Sequence, residues 1–382
     1  MLRVNMKSHF TKTLIGAAIS SMFMGGVAIA ADDVDAINPA SLLENMSYEV
    51  YGIVALQAAY RDYDTGTVKG DEDLSGLQLN NETRIGFRGK KQFANFGPTF
   101  VWQVEGGYVD PSFGGSGSGF GDRDTFVGFE SAELGLIRAG RVLTPLYELV
   151  DWPGSNPGMG DVYDWGGGIG GMKNQDRQSD TIRWDTPLYF DALSFDIAAG
   201  AGDKAGLGEG KDHWVGFAGH YTLGPIQFDA AYEGNRDVQA EDTLWSNDTY
   251  LVGLQGWFDN GISFFAQYKM MEASETNGTE EKQNAMTSGL MYTTGLWQYK
   301  LGYAKNFDLE RDGQTIDDSA DSVLSAQIMY FVDPSAVLYA RIRTVDFGKA
   351  AEIVNTPVGD AVSYRWKSAD FNEFSVGVEY SF

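Results

Sequence analysis

Apolar and polar residues alternate with a period of two through most of this chain. The last ten residues show the pattern most plainly, because Phe374, Val376, Val378, Tyr380 and Phe382 occupy every second position and Glu, Ser or Gly fills the others. Successive side chains of a β-strand point to opposite faces, so this segment predicts a strand with one apolar and one polar face. Most other segments of about ten residues repeat the same alternation.

Sixteen predicted strands follow one another, and their connections alternate between long and short. The strands are expected near residues 48–60, 83–90, 100–108, 123–129, 133–141, 180–185, 193–199, 213–221, 225–233, 249–258, 261–270, 285–292, 295–305, 322–331, 335–345 and 373–382. Transmembrane barrels have long loops on one side, short turns on the other and an even strand count. The pattern therefore predicts an all-β fold, a sixteen-stranded antiparallel transmembrane β-barrel that closes at Phe382. A soluble double sandwich is the alternative.

The first thirty residues predict an exported protein. Arg3, Lys7 and Lys12 precede an apolar stretch at 14–27, and Ala28-Ile29-Ala30 supplies small residues for cleavage. We interpret 1–30 as a signal peptide and 31–382 as the barrel domain. Export combined with a barrel places the protein in a Gram-negative outer membrane. No apolar run after residue 30 has the length of about 18 residues that a transmembrane helix needs, and mean hydropathy is −0.25.

Composition narrows the possible functions. A formal charge of −25 argues against a nucleic-acid partner. Cysteine is absent, which removes thiolate chemistry, and we predict neither a cofactor nor a metal. Catalytic serine or aspartate would need a nearby histidine, and only His213 and His220 follow the signal peptide, so we do not expect an enzyme. Acidic runs at 71–73, 280–281 and 317–318 could bind divalent cations, although such runs are more often solvated surface.

Several short stretches resemble the general porins of Gram-negative bacteria. They are Tyr51-Gly52, the sequence T-R-I-G-F-R-G at 83–89, R-D-T-F-V-G-F at 123–129, Gly140-Arg141, and the terminal V-E-Y-S-F. Each is weak alone, but their order and spacing together are fairly specific. The resemblance covers essentially the whole mature chain. It implies a homotrimer of sixteen-stranded barrels, each with a water-filled pore narrowed by a third external loop that folds into the lumen.

That family opposes acids of the loop to a basic wall of the barrel. Arg84, Arg123 and Arg183 match the basic positions, and strand parity independently turns Arg84 and Arg183 inward, together with Arg88. The candidate loop acids, chosen by position within 143–179, are Glu148, Asp151, Asp161 and Asp164. Two departures are Ile53, where enterobacterial members carry a lysine, and the absence of their Pro-Glu-Phe-Gly loop sequence.

The expected function is passive diffusion of ions and small hydrophilic solutes through an open channel. The excess of acids predicts a preference for cations, which the basic wall could reverse locally. Arg341 and Arg343 also face inward by parity and are further lumen candidates. Expected partners are lipid, lipopolysaccharide and the outer-membrane assembly machinery. A substrate-specific channel for a sugar or an anion, and a non-conducting adhesive barrel, remain alternatives.

Overall fold

The computed structural model describes residues 46–64, 75–109, 119–151, 169, 177–201, 213–240, 243–276, 278–348 and 370–382. The predicted signal peptide, 1–30, lies outside these residues. In the described ranges the chain forms one antiparallel sheet and a short helix, α1 (Pro145–Asp151). No helix of this part of the chain is long and apolar enough to cross a membrane.

Eighteen strands follow one another in the described chain. They are β1 (Met46–Tyr63), β2 (Gly76–Gln92), β3 (Thr99–Val109), β4 (Thr125–Ser131), β5 (Gly135–Leu143), β6 (Arg177–Asp185), β7 (Leu193–Gly200), β8 (His213–Leu223), β9 (Ile226–Ala240), β10 (Thr243–Trp257), β11 (Ile262–Glu275), β12 (Glu280–Thr294), β13 (Trp297–Asn306), β14 (Glu310–Arg311), β15 (Gln314–Thr315), β16 (Asp321–Asp333), β17 (Ala336–Asp346) and β18 (Phe371–Ser381). The two-residue strands β14 and β15 form a small hairpin beside the end of β12. The other sixteen form the wall, which confirms the predicted strand number.

The sheet closes where its last strand meets its first. Strand β18 pairs with β1 from Tyr63↔Phe371 to Ile53↔Ser381, and β1 pairs with β2 on its other side. The terminal residue extends this ladder, because the amide N and carbonyl O of Phe382 each bond to Gly52 at 3.0 Å. A closed sheet leaves no strand edge without backbone partners, which a hydrocarbon environment requires.

The two faces of the wall differ in polarity. Large apolar side chains point outward along successive strands; among them are Val54, Leu56, Ile85, Val215, Phe217, Tyr250, Val252, Leu301, Ile342, Phe374 and Val376. The alternate positions point inward and carry mostly polar groups, including Gln57, Asn80, Gln103, Glu105, Arg138, Arg183, Asn247, Gln255, Gln283, Asn306, Gln327 and Arg341. An apolar exterior around a polar interior is the arrangement of a membrane-spanning barrel with an aqueous lumen.

Several strands are longer than the sequence pattern predicts. Strand β2 begins at Gly76 rather than 83, and the expected loop at 234–248 is mostly the adjoining ends of β9 and β10. The small hairpin of β14 and β15 was also not predicted. These extensions lie at the long-loop end of the barrel, where neither face of a strand needs an apolar side chain. In β9 and β10 the hydrogen-bond ladder continues after the hydrophobic alternation has ended, whereas in β2 the exposed Leu77 and Leu79 continue the alternation.

The short connections all lie at the opposite end, and glycine makes one of them possible. Gly135, with φ +71°, begins β5 directly against the β6–β7 turn. A Cβ at this position would lie 2.2 Å from the carbonyl O of Asp185 and 2.8 Å from the N of Pro187. Only glycine fits such a close approach in a left-handed conformation. The two turns therefore pack as a single unit.

A buried carboxylate reinforces the backbone ladder at the closing seam of the barrel. Glu373 of β18 accepts hydrogen bonds from Arg61 of β1 at 2.8 Å and from Arg341 and Arg343 of β17 at 3.0 and 2.8 Å. The Glu373 side chain is fully buried. Ionic contacts at this point join the first strand to the last two.

We expect Glu373→Gln to lower the free energy of unfolding by about 3 kcal/mol, because the substitution removes the buried negative charge that three guanidinium groups share. Unfolding in detergent, followed by the change in electrophoretic mobility, measures this difference. Glu272→Gln is the matched control, since its bridge to Lys282 is exposed and surface pairs contribute about 1 kcal/mol or less. Equal effects of the two substitutions would contradict the assignment.

Candidate functional site

The helix α1 opens the long connection between β5 and β6, and it packs against the inner face of the wall. Thr144 caps it by accepting a hydrogen bond from the backbone N of Tyr147 at 3.2 Å, and Pro145 stands at the first helical position. Its apolar residues Leu146, Leu149 and Val150 pack on the inward-facing Ala218, Ala231 and Leu251 of β8, β9 and β10. Gln267 of β11 donates to the Leu149 carbonyl at 2.7 Å. The helix therefore lies on the lumen side of the barrel.

Glu148 of the helix binds two arginines of the wall directly. Its Oε2 lies 2.6 Å from Nη2 of Arg183, and its Oε1 lies 3.7 Å from Nη2 of Arg138. Both arginines also contact Asp185, at 2.6 and 2.9 Å respectively. Both guanidinium groups are nearly inaccessible to solvent, whereas Glu148 is part-exposed. Such charge-assisted bonds fix the helix to β5 and β6.

The same network continues around the wall. Arg183 contacts Asp196 of β7 at 3.1 Å, and Asp196 lies 3.3 Å from Nε2 of His220 on β8. Nδ1 of His220 lies 2.8 Å from Asp229 of β9, whose second oxygen accepts a hydrogen bond from Gln255 of β10 at 2.8 Å. Both ring nitrogens of His220 thus face carboxylates. One line of ionic and polar contacts crosses six neighbouring strands.

Arg123 belongs to a second group at the long-loop side of β3 and β4. Its Nε donates to Glu105 at 2.6 Å, and the second oxygen of Glu105 accepts a hydrogen bond from the Tyr51 hydroxyl at 2.7 Å. The Tyr51 ring lies over Gly86, where a Cβ would come within 2.3 Å of it. The T-R-I-G-F-R-G stretch thus needs glycine at this position to admit the tyrosine.

Charges concentrate around Arg123. Arg177 contacts Asp124 at 3.1 Å. Burial, and then the charges of Arg177 and Arg84, lower the pKa of Arg123. Burial alone would raise the pKa of Asp124, but the guanidinium groups of Arg177 and Arg123, and more weakly Arg138, outweigh it and lower that pKa. Asp124 therefore links the two arginine groups electrostatically.

The predicted site residues fall into separate places. Arg84 and Arg123 are close enough to interact, and Arg183 binds Glu148 of α1. These four residues lie along one continuous strip of the inner wall. Arg88 lies nearer the short-turn end, where it pairs with Glu49 and its guanidinium stands 4.5 Å from the centre of the Tyr51 ring. Arg341 and Arg343 face inward but sit at the closing seam. Asp151 ends α1, and Asp161 and Asp164 lie outside the described residues.

Sequence reasoning missed several members of this strip. Glu105, Asp185 and Asp196 contact its arginines. Arg138 and Arg177 are further arginines of the strip, paired with Asp185 and Asp124. Parity could have found Arg138 and Glu105, since each alternates with an outward apolar residue in its strand. Arg177 gave no such signal, because it begins a strand after a long connection. Among the described residues, no group of three or more acids and histidines is placed to hold a metal ion.

The structure is a closed, polar-lined barrel with a helix held on its inner wall by arginines. The model of a family described as Gram-negative porin matches residues 17–350 of the sequence. The chain belongs to the Gram-negative porin family. It is an outer-membrane protein, and the family indicates a channel rather than an enzyme. The short turns of such barrels face the periplasm and the long loops face outward.

Two curated relatives and two solved structures are similar to this porin. A Chitoporin of Vibrio furnissii is 35% identical over 366 residues, covering 88% of this chain and 93% of the relative. Major outer membrane protein P.IB of Neisseria meningitidis serogroup B is 24% identical over 273 residues, covering 69% and 76%. The anion-selective porin from Comamonas acidovorans matches with a TM-score of 0.68 at 18% identity, covering 88% of this chain and 100% of that one. A trimer form of OmpT from Vibrio cholerae matches with a TM-score of 0.62 at 13% identity, covering 89% and 100%.

We expect Asp124→Asn to destabilise this porin by about 3 kcal/mol at neutral pH, because the substitution removes a buried negative charge that pairs with Arg177 and lies near Arg123. A carboxylate with a lowered pKa stabilises the fold fully above its unfolded-state value of about 3.9 and loses that effect as pH falls through its folded-state value. The difference between the variant and the wild type should therefore shrink in acid. Denaturant unfolding in detergent at pH 7 and near pH 2 measures both differences.

Asp346→Asn is the control, since Asp346 is exposed at the end of β17. It should change the unfolding free energy little at either pH. A difference for Asp124→Asn that stayed constant from pH 7 to pH 2 would contradict an electrostatic origin.

Proposed function

We propose that this porin is a passive channel for ions and small hydrophilic solutes. The observation that carries the proposal is the inward face of its sixteen-stranded wall, which is lined by amides, carboxylates and guanidinium groups. Barrels of sixteen to eighteen strands are wide enough to leave an aqueous channel. Polar walls let hydrated solutes pass and disfavour apolar ones. Transport needs neither a binding cycle nor an energy source.

The third long connection is proposed to fold into the lumen and set the narrowest point. The position of α1 on the inner wall supports this course, because the connection begins inside the barrel. Glu148 pairs with Arg183 and Arg138, and the acids proposed to oppose Arg84 and Arg123 across the channel are Asp151, Asp161 and Asp164. Opposed charges across a narrow gap order water and favour polar solutes.

A preference for cations is proposed from the charge of the chain, which has 53 acidic and 28 basic residues. The pairing of the wall supports it indirectly. Arg123, Arg177 and Arg183 each contact a carboxylate, which reduces the attraction of the wall for passing anions. The remaining acids then determine the sign of the potential in the channel.

A homotrimer is the proposed assembly, in contact with lipid and lipopolysaccharide and delivered by the outer-membrane assembly machinery. The trimer form of OmpT from Vibrio cholerae, which shares the fold, supports the oligomeric state. Outward apolar residues encircle the barrel, so part of this surface can meet another subunit while the rest meets lipid.

Conductance of the purified protein across a planar bilayer in a salt gradient tests the channel and its selectivity together. We expect large steps in groups of three and a zero-current potential with the sign of a cation preference. Replacing Arg84, Arg123 and Arg183 by serine should make the potential more cation-selective, because acids would then face fewer positive charges. Lys282→Ser on the exposed end of β12 is the control.

A wild-type potential of the opposite sign would mean that arginines determine selectivity. Loss of that sign in the triple variant would then identify these three residues. A preparation of folded protein with no conductance would refute the channel and leave the non-conducting barrel.

A saccharide-specific channel is the second candidate. It is favoured by the Chitoporin of Vibrio furnissii, whose 35% identity extends over most of both chains. If this candidate is right, chitin-derived oligosaccharides should block the ion current of single channels at micromolar concentrations, whereas maltose oligosaccharides of equal length should not. Equal, weak block by both sugars would favour the general channel.

A further inference from the structure

The periplasmic turn between β6 and β7 carries three consecutive apolar side chains to the end of the barrel. Leu188, Tyr189 and Phe190 are 59%, 36% and 92% exposed. Among the described residues no ring contact includes Phe190. By contrast Phe96, in the β2–β3 turn, is 46% exposed and its ring lies 5.0 Å from that of Phe129. Phe190 therefore protrudes, while Phe96 packs against the protein.

The backbone holds Phe190 in an unfavourable conformation. Phe190 and Asp191 have φ of 54° and 55°, the pair of values that defines the centre of a type I′ turn. Such turns favour Asn-Gly or Asp-Gly, and a bulky residue at positive φ is an outlier. Tyr189 and Leu193 close the turn by two hydrogen bonds of 2.7 and 2.9 Å. A strained residue kept in a turn that would accept asparagine points to a role for its side chain.

Neighbouring elements fix the direction of this turn. The backbone N of Thr222 on β8 donates to the carbonyl of Ala192 at 2.8 Å. On the other side, Gly135 packs against residues 185–187, and the indole N of Trp184 donates to the carbonyl of Leu134 at 2.7 Å. The turn is thus held between two other hairpins and cannot swing freely.

The surface around the turn continues the lipid-facing band. Leu134 of the β4–β5 turn, Trp184 of β6, and Tyr221 and Leu223 of β8 are exposed beside it. By contrast, the β10–β11 and β16–β17 turns contain polar or proline residues, Asp259-Asn260 and Asp333-Pro334-Ser335. Amphipathic aromatic side chains concentrate at the level where lipid headgroups meet acyl chains. Exposed apolar residues on the flanking strands and in the turn itself fit lipid as the occupant of this surface.

We propose that Phe190 inserts into the inner leaflet of the outer membrane and anchors the periplasmic end of β6 and β7 at the boundary between headgroups and acyl chains. The strained turn directs the ring outward, and Leu188 extends the buried surface. The gain from burying the ring in lipid offsets the unfavourable backbone. The proposal concerns the outer surface of the barrel and does not depend on what passes through its lumen.

A spin label tests the location directly. The chain has no cysteine, so Phe190→Cys can be labelled alone with a nitroxide and refolded into phosphatidylcholine vesicles. We expect the label to collide mainly with dissolved oxygen, which concentrates in lipid, and little with a water-soluble nickel chelate. Glu133→Cys, at the exposed tip of the adjacent β4–β5 turn, is the matched control and should show the reverse.

Two results of this measurement would overturn the proposal. Nickel collisions as frequent as those of the Glu133→Cys label would place residue 190 in water. Protection from both reagents, with broadening by a second label, would place it against another copy of the chain.

The sign of a stability change provides an independent test. Asparagine tolerates positive φ far better than phenylalanine. If the ring is in water, Phe190→Asn should raise the denaturant midpoint for unfolding from phosphatidylcholine vesicles. If the ring is in lipid, the same substitution should lower the midpoint, because it removes the buried apolar surface and places an amide there. A rise would refute the insertion.

Discussion

Backbone hydrogen bonding in hydrocarbon is the constraint on which the structure depends. A strand edge left open in lipid would expose a row of unpaired amide and carbonyl groups, each at a cost of several kcal/mol. The ladder between β1 and β18, completed by the bonds of Phe382 to Gly52, removes that edge. Closure also fixes which face of every strand points inward, because register and side-chain direction are coupled. The polar lumen is therefore a consequence of closing an alternating sheet.

Acidic side chains allow several arginines to lie close together on the inner wall. Arg138 and Arg183 occupy paired positions on β5 and β6 and would repel each other without Asp185 and Glu148 between them. Glu148 comes from the helix, so docking of α1 completes the neutralisation of the wall. The course of the third connection and the charge state of the wall are therefore coupled. A change in either should affect the other, even though they belong to different parts of the chain.

The sequence predicted those features that follow from alternation. Sixteen strands, the inward direction of Arg84 and Arg183, and the closing role of the last strand all follow from side-chain parity and loop asymmetry. The adjoining ends of β9 and β10 could not be predicted, because a strand beyond the lipid needs no apolar face. Contacts such as His220 between Asp196 and Asp229 join residues from three strands, so their proximity depends on register, which alternation alone leaves open. The helix α1 could not be predicted either, because the connection in which it lies shows no hydrophobic periodicity.

The carboxylate of the closing seam has a consequence for biosynthesis. Arg61 is synthesised early, Arg341 and Arg343 come late, and only nine residues of the sequence follow Glu373. A chain that stops short of residue 373 lacks the carboxylate that binds all three arginines, and it also lacks the strand that closes the sheet. Truncated products would thus carry an open edge and concentrated positive charge together. Closure of the sheet and neutralisation of these three arginines therefore depend on the same late segment of the chain.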